Sequence, residues 1–198
     1  MERVKPFSEP SKPARSRVSG ASAGTRAQPN VACSMLRGIL GEINACVPCV
    51  AGGNAMPLIE AAYAIGLRLV PTRSELGAGF AGNGIAWESG RPALCIVIAS
   101  VGVYGLVQAL HAACVNRRPL VVVSGDVASI GRGSVQAGDG WDGPSVTRVT
   151  RPLTAWSFDA LTADLAVRGL RRAVLLAREA RCPTHLNVPL SVQEQPAP

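Results

Sequence analysis

The sequence of 198 residues has few aromatic residues and few charged ones. Phe, Trp and Tyr make up 4% of it, and Asp, Glu, Lys and Arg make up 17%. This composition excludes a coiled coil, and it leaves no aromatic platforms on which single-stranded nucleic acid could stack. No apolar run reaches the length of about 18 residues that a membrane-spanning helix needs. We therefore expect a soluble, cytoplasmic protein that binds neither nucleic acid nor membrane.

Much of the net charge of +7 lies in one segment. Among the first 34 residues, six are basic and two are acidic. The segment is also rich in Pro, Ser, Gly and Ala, and it has too few large apolar residues to fold by burying surface. We predict a disordered basic extension over residues 1–31, one domain over 32–193 and a short tail over 194–198.

The six cysteines have no spacing typical of a disulfide framework. Residues 46–49, "CVPC", form a C-x-x-C pair, but the pair lies inside an apolar run typical of a strand. A thioredoxin-type motif opens a helix instead, and a zinc site needs two further ligands. We predict reduced, buried thiols and no metal site in this chain.

After the extension, short apolar runs alternate with stretches of helical periodicity. Strands are predicted over 45–51, 67–72, 93–99, 119–125 and 184–189; helices are predicted over 31–43, 55–66, 75–90, 102–117 and 158–181, and a polar loop over 126–150. This alternation predicts an α/β fold of three layers, in which helices cover both faces of a mostly parallel sheet. Ligands bind such sheets in the loops at the carboxyl ends of the strands, where Glu75 lies.

Six stretches follow one another in the order found in a known family. They are "VPCVAGGNAMPLIEAA", "RSELGAGFAGNGIAWESGRPALCIVIAS", "SVGVYGLVQAL", "RRPLVVVSGDV", "TRPLTAWSF" and "CPTHLNVPLSVQ". Together they resemble the pyrimidine-binding (Pyr) domain of the thiamin-diphosphate-dependent enzymes of the acetolactate synthase and 2-oxo acid decarboxylase superfamily. The resemblance implies the Pyr type of the thiamin-diphosphate-binding fold, with thiamin diphosphate as the cofactor.

The resemblance implies a role for Glu75 in "RSELGAGF". In the family, the matching glutamate hydrogen-bonds N1′ of the aminopyrimidine ring and favours the imino tautomer that generates the cofactor's ylide. A carboxyl at the end of a buried strand, among Gly and Ala, is also desolvated as a proton-sharing group should be. The alternative is that Glu75 stabilises the N-terminus of its own helix. Further cofactor-binding residues implied by the resemblance are Gly52, Gly53, Ser100 and Gly102.

The sequence departs from the family pattern in the turn after the central strand. The usual Pro and Asn are replaced by Val101 and Gly105, while Gly102 is kept. Gln136 matches the position where acetolactate-synthase-like members carry a Gln on the substrate side, which implies a catalytic role. No His-His pair occurs in that loop, and this argues against a close relative of pyruvate decarboxylase.

Half of the family's cofactor site is missing from the sequence. Family members hold the diphosphate and Mg²⁺ in a second domain, through Gly-Asp-Gly and a later Asn-Asn whose oxygens suit a hard cation. The "GDG" at 138–140 is followed by no Asn-Asn, so we interpret it as a loop. The resemblance therefore implies a separate diphosphate-binding subunit that holds Mg²⁺, in an α2β2 assembly. Its candidate contacts are the small-residue faces of helices 75–88 and 102–115.

The expected reaction is decarboxylation of a 2-oxo acid, followed by carboligation or by release of an aldehyde. The alternative is a non-catalytic regulatory or scaffolding subunit, which the loss of the Pro and Asn favours and the presence of Glu75 opposes. A nucleotide-binding protein is disfavoured, because no G-x-G-x-x-G or P-loop follows the first strand. His111 is interpreted as structural or exposed, and Asp126 as a turn residue or a residue that approaches a partner.

Overall fold

The computed structural model describes residues 30–128 and 145–198. Within these ranges, the strands are β1 (Cys46–Cys49), β2 (Arg68–Pro71), β3 (Ala93–Ile98), β4 (Leu120–Asp126), β5 (Trp156–Asp159) and β6 (Thr184–Pro189). The α-helices are α1 (Val31–Arg37), α2 (Met56–Ala64), α3 (Glu75–Ser89), α4 (Val101–Val115), α5 (Val146–Thr150), α6 (Ala163–Ala180) and α7 (Leu190–Gln193). No helix in the described ranges is long and apolar enough to cross a membrane.

The six strands form one parallel sheet in the order β2-β1-β3-β4-β6-β5. The central strands β3 and β4 are buried almost throughout. Their sequences read as continuous apolar runs because a parallel sheet has helices on both faces. The three-layer α/β fold predicted from the sequence is confirmed.

Two hydrophobic clusters lie on opposite faces of this sheet. Alternate residues of β3 divide between them, with Leu94 and Ile96 in the cluster that includes α1, α2 and α6. Cys95 and Val97 belong to the cluster that includes α3 and α4. This division follows from the two-residue period of side chains along a strand.

Glycines allow α3 to pack closely against its neighbours. A Cβ atom on Gly79 would lie 2.5 Å from the Cβ of Ala109 in α4. On Gly82 it would lie 2.6 Å from Cδ1 of Leu120 in β4, whereas on Gly84 it would meet nothing within 4 Å. Gly79 and Gly82, two of the small residues that were predicted to contact a partner, therefore pack inside the chain.

This packing predicts opposite effects for two substitutions in one helix. Gly82→Ala is expected to lower the free energy of unfolding by about 1–3 kcal/mol, because the added methyl group overpacks the contact with Leu120. Gly84→Ala should raise it by roughly 0.5–1 kcal/mol, because alanine favours a helix and this site is open. Urea denaturation measures both values. Equal effects of the two changes would contradict the packing.

Three segments differ from the sequence prediction. The helix predicted over 158–181 begins only at Ala163, since β5 occupies the first residues and Thr162 caps the helix by accepting a hydrogen bond from the Leu165 amide. Helix α5 lies within the predicted loop over 126–150. The helix predicted over 31–43 ends at Arg37.

The two ends of the domain lie side by side. The side chain of Asn30 caps α1 by accepting a hydrogen bond from the Cys33 amide, and the Val31 amide donates to the carbonyl of Gln195 at 2.9 Å. Asn30 and Pro196 form an isolated antiparallel bridge. Part of the predicted tail thus packs against the start of α1, while residues 1–29 lie outside the described residues.

Candidate functional site

The turn from β2 into α3 holds Glu75 at the carboxyl end of the sheet. The Thr72 amide donates to the carbonyl of Cys49 in β1 at 2.9 Å, and the Thr72 hydroxyl donates to the carbonyl of Ser74. The Ser74 hydroxyl accepts from the amide of Gly77 at 3.2 Å and so caps α3. The side chain of Ser74 therefore caps α3, and Glu75 lies in the first turn of the helix.

The partly buried carboxyl of Glu75 lies beside the first turns of α4. A Cβ atom on Gly102 would lie 3.0 Å from its Oε1 atom, and one on Gly105 would lie 3.8 Å from its Oε2 atom. Among the described residues, no donor makes a hydrogen bond to this carboxyl. The lack of side chains at these two glycines thus lets α4 pack closely against Glu75, whose carboxyl keeps its hydrogen-bonding capacity available.

Two of the other predicted cofactor-binding residues meet at Ile98, the last residue of β3. A Cβ atom on Gly52 would lie 2.4 Å from Cγ2 of Ile98, and one on Gly102 would lie 2.8 Å from Cγ1 of the same side chain. Gly53 borders open space, since an added Cβ would meet nothing within 4 Å. The structure thus brings Gly52, Gly102 and Glu75 to one end of the sheet around a single isoleucine.

Ser100 connects β3 to α4 in a strained conformation. Its φ is 58° and its ψ is −112°, a region that residues with a Cβ rarely adopt, and it is 5% exposed. The carbonyl of Ser100 accepts from the Tyr104 amide at 2.9 Å. Strain of this kind persists where the surrounding structure imposes the conformation.

Ser100→Gly is expected to raise the free energy of unfolding by about 1 kcal/mol, because glycine adopts positive φ without steric cost. Ser34→Gly, in the helical backbone of α1, is the control and should lower it by roughly 0.5–1 kcal/mol. Thermal or urea denaturation of the two variants distinguishes them. Destabilisation by both would show that Ser100 is not strained.

Neutral thiols lie in the sheet close to Glu75. Burial raises the pKa of Cys95 well above its ordinary value, and the nearby Cys49 and Glu75 raise it further. Burial also raises the pKa of Cys49. Cys46 and Cys49 both belong to β1, as predicted for "CVPC". The surroundings of Glu75 on this side are therefore uncharged.

Sequence reasoning missed a buried polar network that joins β4, β6 and α5. Nε2 of His185 lies 2.8 Å from the hydroxyl of Ser124, and its Nδ1 lies 2.8 Å from the hydroxyl of Thr150. Ser124 also donates to Oδ1 of Asn187 at 2.7 Å. Polar residues within otherwise apolar strands were the signal in the sequence that could have indicated it.

The network continues through two carboxylates at the carboxyl ends of β4 and β5. The side-chain amide of Asn187 donates to Asp126 and to Asp159, each at 2.8 Å. Asp159 also accepts from the hydroxyls of Ser145 and Thr147, at 2.5 and 2.7 Å. Asp126 is thus a buried strand residue, and the network holds α5 against the sheet.

Two predicted features lie elsewhere. His111 is exposed on α4, in agreement with the sequence interpretation. Gln136 and the "GDG" at 138–140 lie outside the described residues, so the role of Gln136 stays a prediction.

A set of large apolar side chains is exposed on α3 and at the start of α4. We call it the α3/α4 face, and it comprises Phe80, Trp87, Val101 and Tyr104, which are 46%, 60%, 67% and 38% exposed. The guanidinium carbon of Arg118 lies 3.5 Å from the centre of the Trp87 ring. These large side chains thus lie on the outer surface of the two helices, where small residues were predicted to contact a partner.

A family model for the thiamine pyrophosphate enzymes, describing their N-terminal TPP-binding domain, matches residues 31–145. The chain is 33% identical over 152 residues to the protein named probable 2-ketoarginine decarboxylase AruI of Pseudomonas aeruginosa. It is 31% identical over 146 residues to acetolactate synthase 3, chloroplastic, of Brassica napus. These matches cover 74% and 73% of the chain and 26% and 22% of the relatives, so the chain spans about a quarter of the length of these curated relatives.

The fold is also found among solved structures. An X-ray structure of a protein from Mycobacterium smegmatis, assigned to the thiamin diphosphate-dependent enzymes, superposes with a TM-score of 0.75. The match covers 86% of the chain and 32% of that protein, at 21% sequence identity. It shows a shared fold.

Proposed function

This chain belongs to the thiamine pyrophosphate enzymes, whose N-terminal cofactor-binding domain it carries, and on that premise we propose that Glu75 binds the pyrimidine half of thiamin diphosphate. The observation that carries the proposal is the Glu75 carboxyl, which lies at the carboxyl end of the sheet against Gly102 and Gly105 and accepts no hydrogen bond from the described residues. A nitrogen of a heteroaromatic ring is a suitable hydrogen-bond partner for such a carboxyl. The residues present therefore fit the cofactor.

Glu75 would share a proton with N1′ of the ring, while Gly52, Gly53, Ser100 and Gly102 shape the surrounding pocket. Ser74 caps the helix and so holds the backbone from which the Glu75 side chain extends. When bound, thiamin diphosphate supplies the carbon nucleophile for attack on a substrate carbonyl. Gln136 is proposed to contact the substrate.

The proposed substrate is a 2-oxo acid, which loses CO₂ and then either joins a second carbonyl compound or leaves as an aldehyde. The names of the two relatives support both outcomes, since one is a 2-ketoarginine decarboxylase and the other an acetolactate synthase. The change from Pro and Asn to Val101 and Gly105 favours the alternative of a non-catalytic regulatory or scaffolding subunit.

The diphosphate and Mg²⁺ are proposed to be held by a separate diphosphate-binding subunit in an α2β2 assembly. The α3/α4 face supports this, because large apolar side chains exposed on the two helices that meet at Glu75 are suited to a protein contact. Such a contact would complete the cofactor site at the interface.

The proposed function is tested by reconstitution. The chain is co-purified with a diphosphate-domain subunit of the same family and supplied with thiamin diphosphate and Mg²⁺. CO₂ release from a panel of 2-oxo acids, including pyruvate and 2-ketoarginine, is then measured together with the carboligation products. Substrate-dependent CO₂ release supports the proposal. A stable complex without activity on any acid would favour the scaffolding alternative.

The proposed contact surface is tested with two exposed aromatic residues. Tyr104→Ala on the α3/α4 face is expected to weaken complex formation at least tenfold. Tyr63→Ala is the control, because Tyr63 is 77% exposed on α2, which packs on the opposite face of the sheet. Equal affinities of the two variants in calorimetric titration would contradict the proposed contact surface.

A further inference from the structure

The C-x-x-C pair of the sequence cannot form a disulfide within this fold. Cys46 and Cys49 are the two ends of β1. Three residues of extended strand separate their Cα atoms by about 10 Å. A disulfide requires Cα atoms within about 7 Å. The extended strand therefore keeps the two cysteines of the C-x-x-C motif too far apart to form a disulfide.

Two other cysteines, 68 residues apart in the sequence, lie in direct contact. Sγ of Cys182 lies 3.8 Å from Sγ of Cys114. Cys114 belongs to the last turn of α4, and Cys182 lies in the turn between α6 and β6. All six cysteines lie within the described residues, and none of them forms a disulfide there.

The backbone on both sides of the contact is held by hydrogen bonds. The Arg118 amide donates to the carbonyl of Ala113 at 2.8 Å, and the Cys182 amide donates to the carbonyl of Ala177 at 3.3 Å. Cys114 and Cys182 are both partly exposed, contrary to the prediction of buried thiols, so a small disulfide can reach them. Closing the bond requires the two sulfur atoms to approach by less than 2 Å, to the usual length of about 2.05 Å.

We propose that Cys114 and Cys182 form an intramolecular disulfide when the protein meets a low-molecular-weight disulfide such as oxidised glutathione. The thiolate of one cysteine attacks the oxidised glutathione and releases one reduced glutathione, which leaves a mixed disulfide on the protein. The thiolate of the second cysteine then attacks the protein sulfur and releases the second reduced glutathione. The two thiols lose their protons and are oxidised, and the glutathione disulfide is reduced.

The surroundings of Cys182 affect the rate of these attacks. Burial and the contact with Cys114 raise its pKa to about 11, against lowering effects of the Ala155 backbone and of Arg117. Its thiol is thus mostly protonated at neutral pH, whereas only the thiolate attacks a disulfide. The second attack takes place at short range, where the effective concentration of the attacking thiol is high.

The bond would join the C-terminal end of α4 to the start of β6. The opposite end of α4 carries Gly102 and Gly105 beside Glu75, so the crosslink would fasten the helix that borders the candidate site. A closed loop of this length restricts the unfolded chain and stabilises the fold. The oxidised protein should therefore unfold at a temperature about 5 °C higher than the reduced protein.

The test uses the folded chain alone, so its outcome does not depend on the proposed function. The reduced protein is incubated with oxidised glutathione and digested after the remaining thiols are alkylated. Mass spectrometry is expected to find one crosslinked peptide pair that contains Cys114 and Cys182, with the intact mass lowered by two hydrogen atoms. Cys114→Ser and Cys182→Ser should each abolish the crosslink and leave a glutathione adduct on the remaining cysteine. Cys46→Ser, the control, should leave the crosslink unchanged.

Either of two results would overturn the proposal. The first is a folded protein in which both cysteines become separately glutathionylated or stay reduced, with no crosslinked peptide. The second is a crosslink between other cysteines that persists in Cys114→Ser. The thermal midpoint gives a further measurement, because a crosslink that the folded protein does not accommodate would lower it.

Discussion

Glu75→Gln is expected to lower the rate of CO₂ release by the reconstituted complex by about 100- to 10,000-fold, the range over which a positioned acid or base contributes to a reaction. Glutamine has almost the same shape, so it fits beside Gly102 and Gly105 without disturbing α3. Its amide still forms hydrogen bonds but does not exchange a proton. The expected loss is therefore in the chemical step, with stability and assembly retained.

Glu88→Gln provides the matched control, because it makes the same chemical change near the other end of α3 on an exposed residue. Both variants are compared with the wild type in single-turnover CO₂ release, in thiamin diphosphate binding and in urea denaturation. Wild-type activity in Glu75→Gln would contradict the proposed proton-sharing role. Equal losses in the two variants would attribute the effect to helix stability.

Because of His185, the free energy of unfolding is expected to be about 3 kcal/mol lower at pH 4 than at neutral pH. His185 is fully buried, and burial lowers its pKa from 6.5 to about 4, against a smaller opposing effect of Asp159. Between these two pH values the unfolded chain binds a proton that the folded chain excludes. Stability is thus greatest above pH 6.5 and falls as the pH decreases towards 4, by about 1.4 kcal/mol for each unit of pKa difference.

The measurement is the free energy of unfolding in urea from pH 4 to pH 8. His185→Gln should lose stability at neutral pH, since Ser124 and Thr150 lose a partner, but should show a flatter decline on the acid side. The sequence has two histidines, and the second, exposed His111, serves as the control. His111→Gln should reproduce the wild-type profile, and a decline of equal steepness in His185→Gln would exclude His185 as the cause.

Local sequence patterns predicted most of the fold correctly. β3, β4 and β6 were predicted to within a residue or two because strands buried on both faces leave continuous apolar runs. β5 was not predicted. Its two aromatic residues, Trp156 and Phe158, lie in a short edge strand that is followed closely by a long amphipathic helix. Residue propensities over four residues do not distinguish a strand from a helix. The pairing of this segment with β6 makes it a strand.

For the candidate site too, some properties followed from the sequence and others only from the tertiary structure. The sequence by itself determined that the chain is α/β, that it belongs with the thiamine pyrophosphate enzymes and that Glu75 follows a strand, because these properties depend on neighbours along the chain. Only the tertiary structure decided that Gly102 borders Glu75, that His185 is buried in a polar network and that Cys114 meets Cys182. Such contacts join residues tens of positions apart, and they depend on how helices and strands pack. Patterns among neighbouring residues therefore do not reveal that packing.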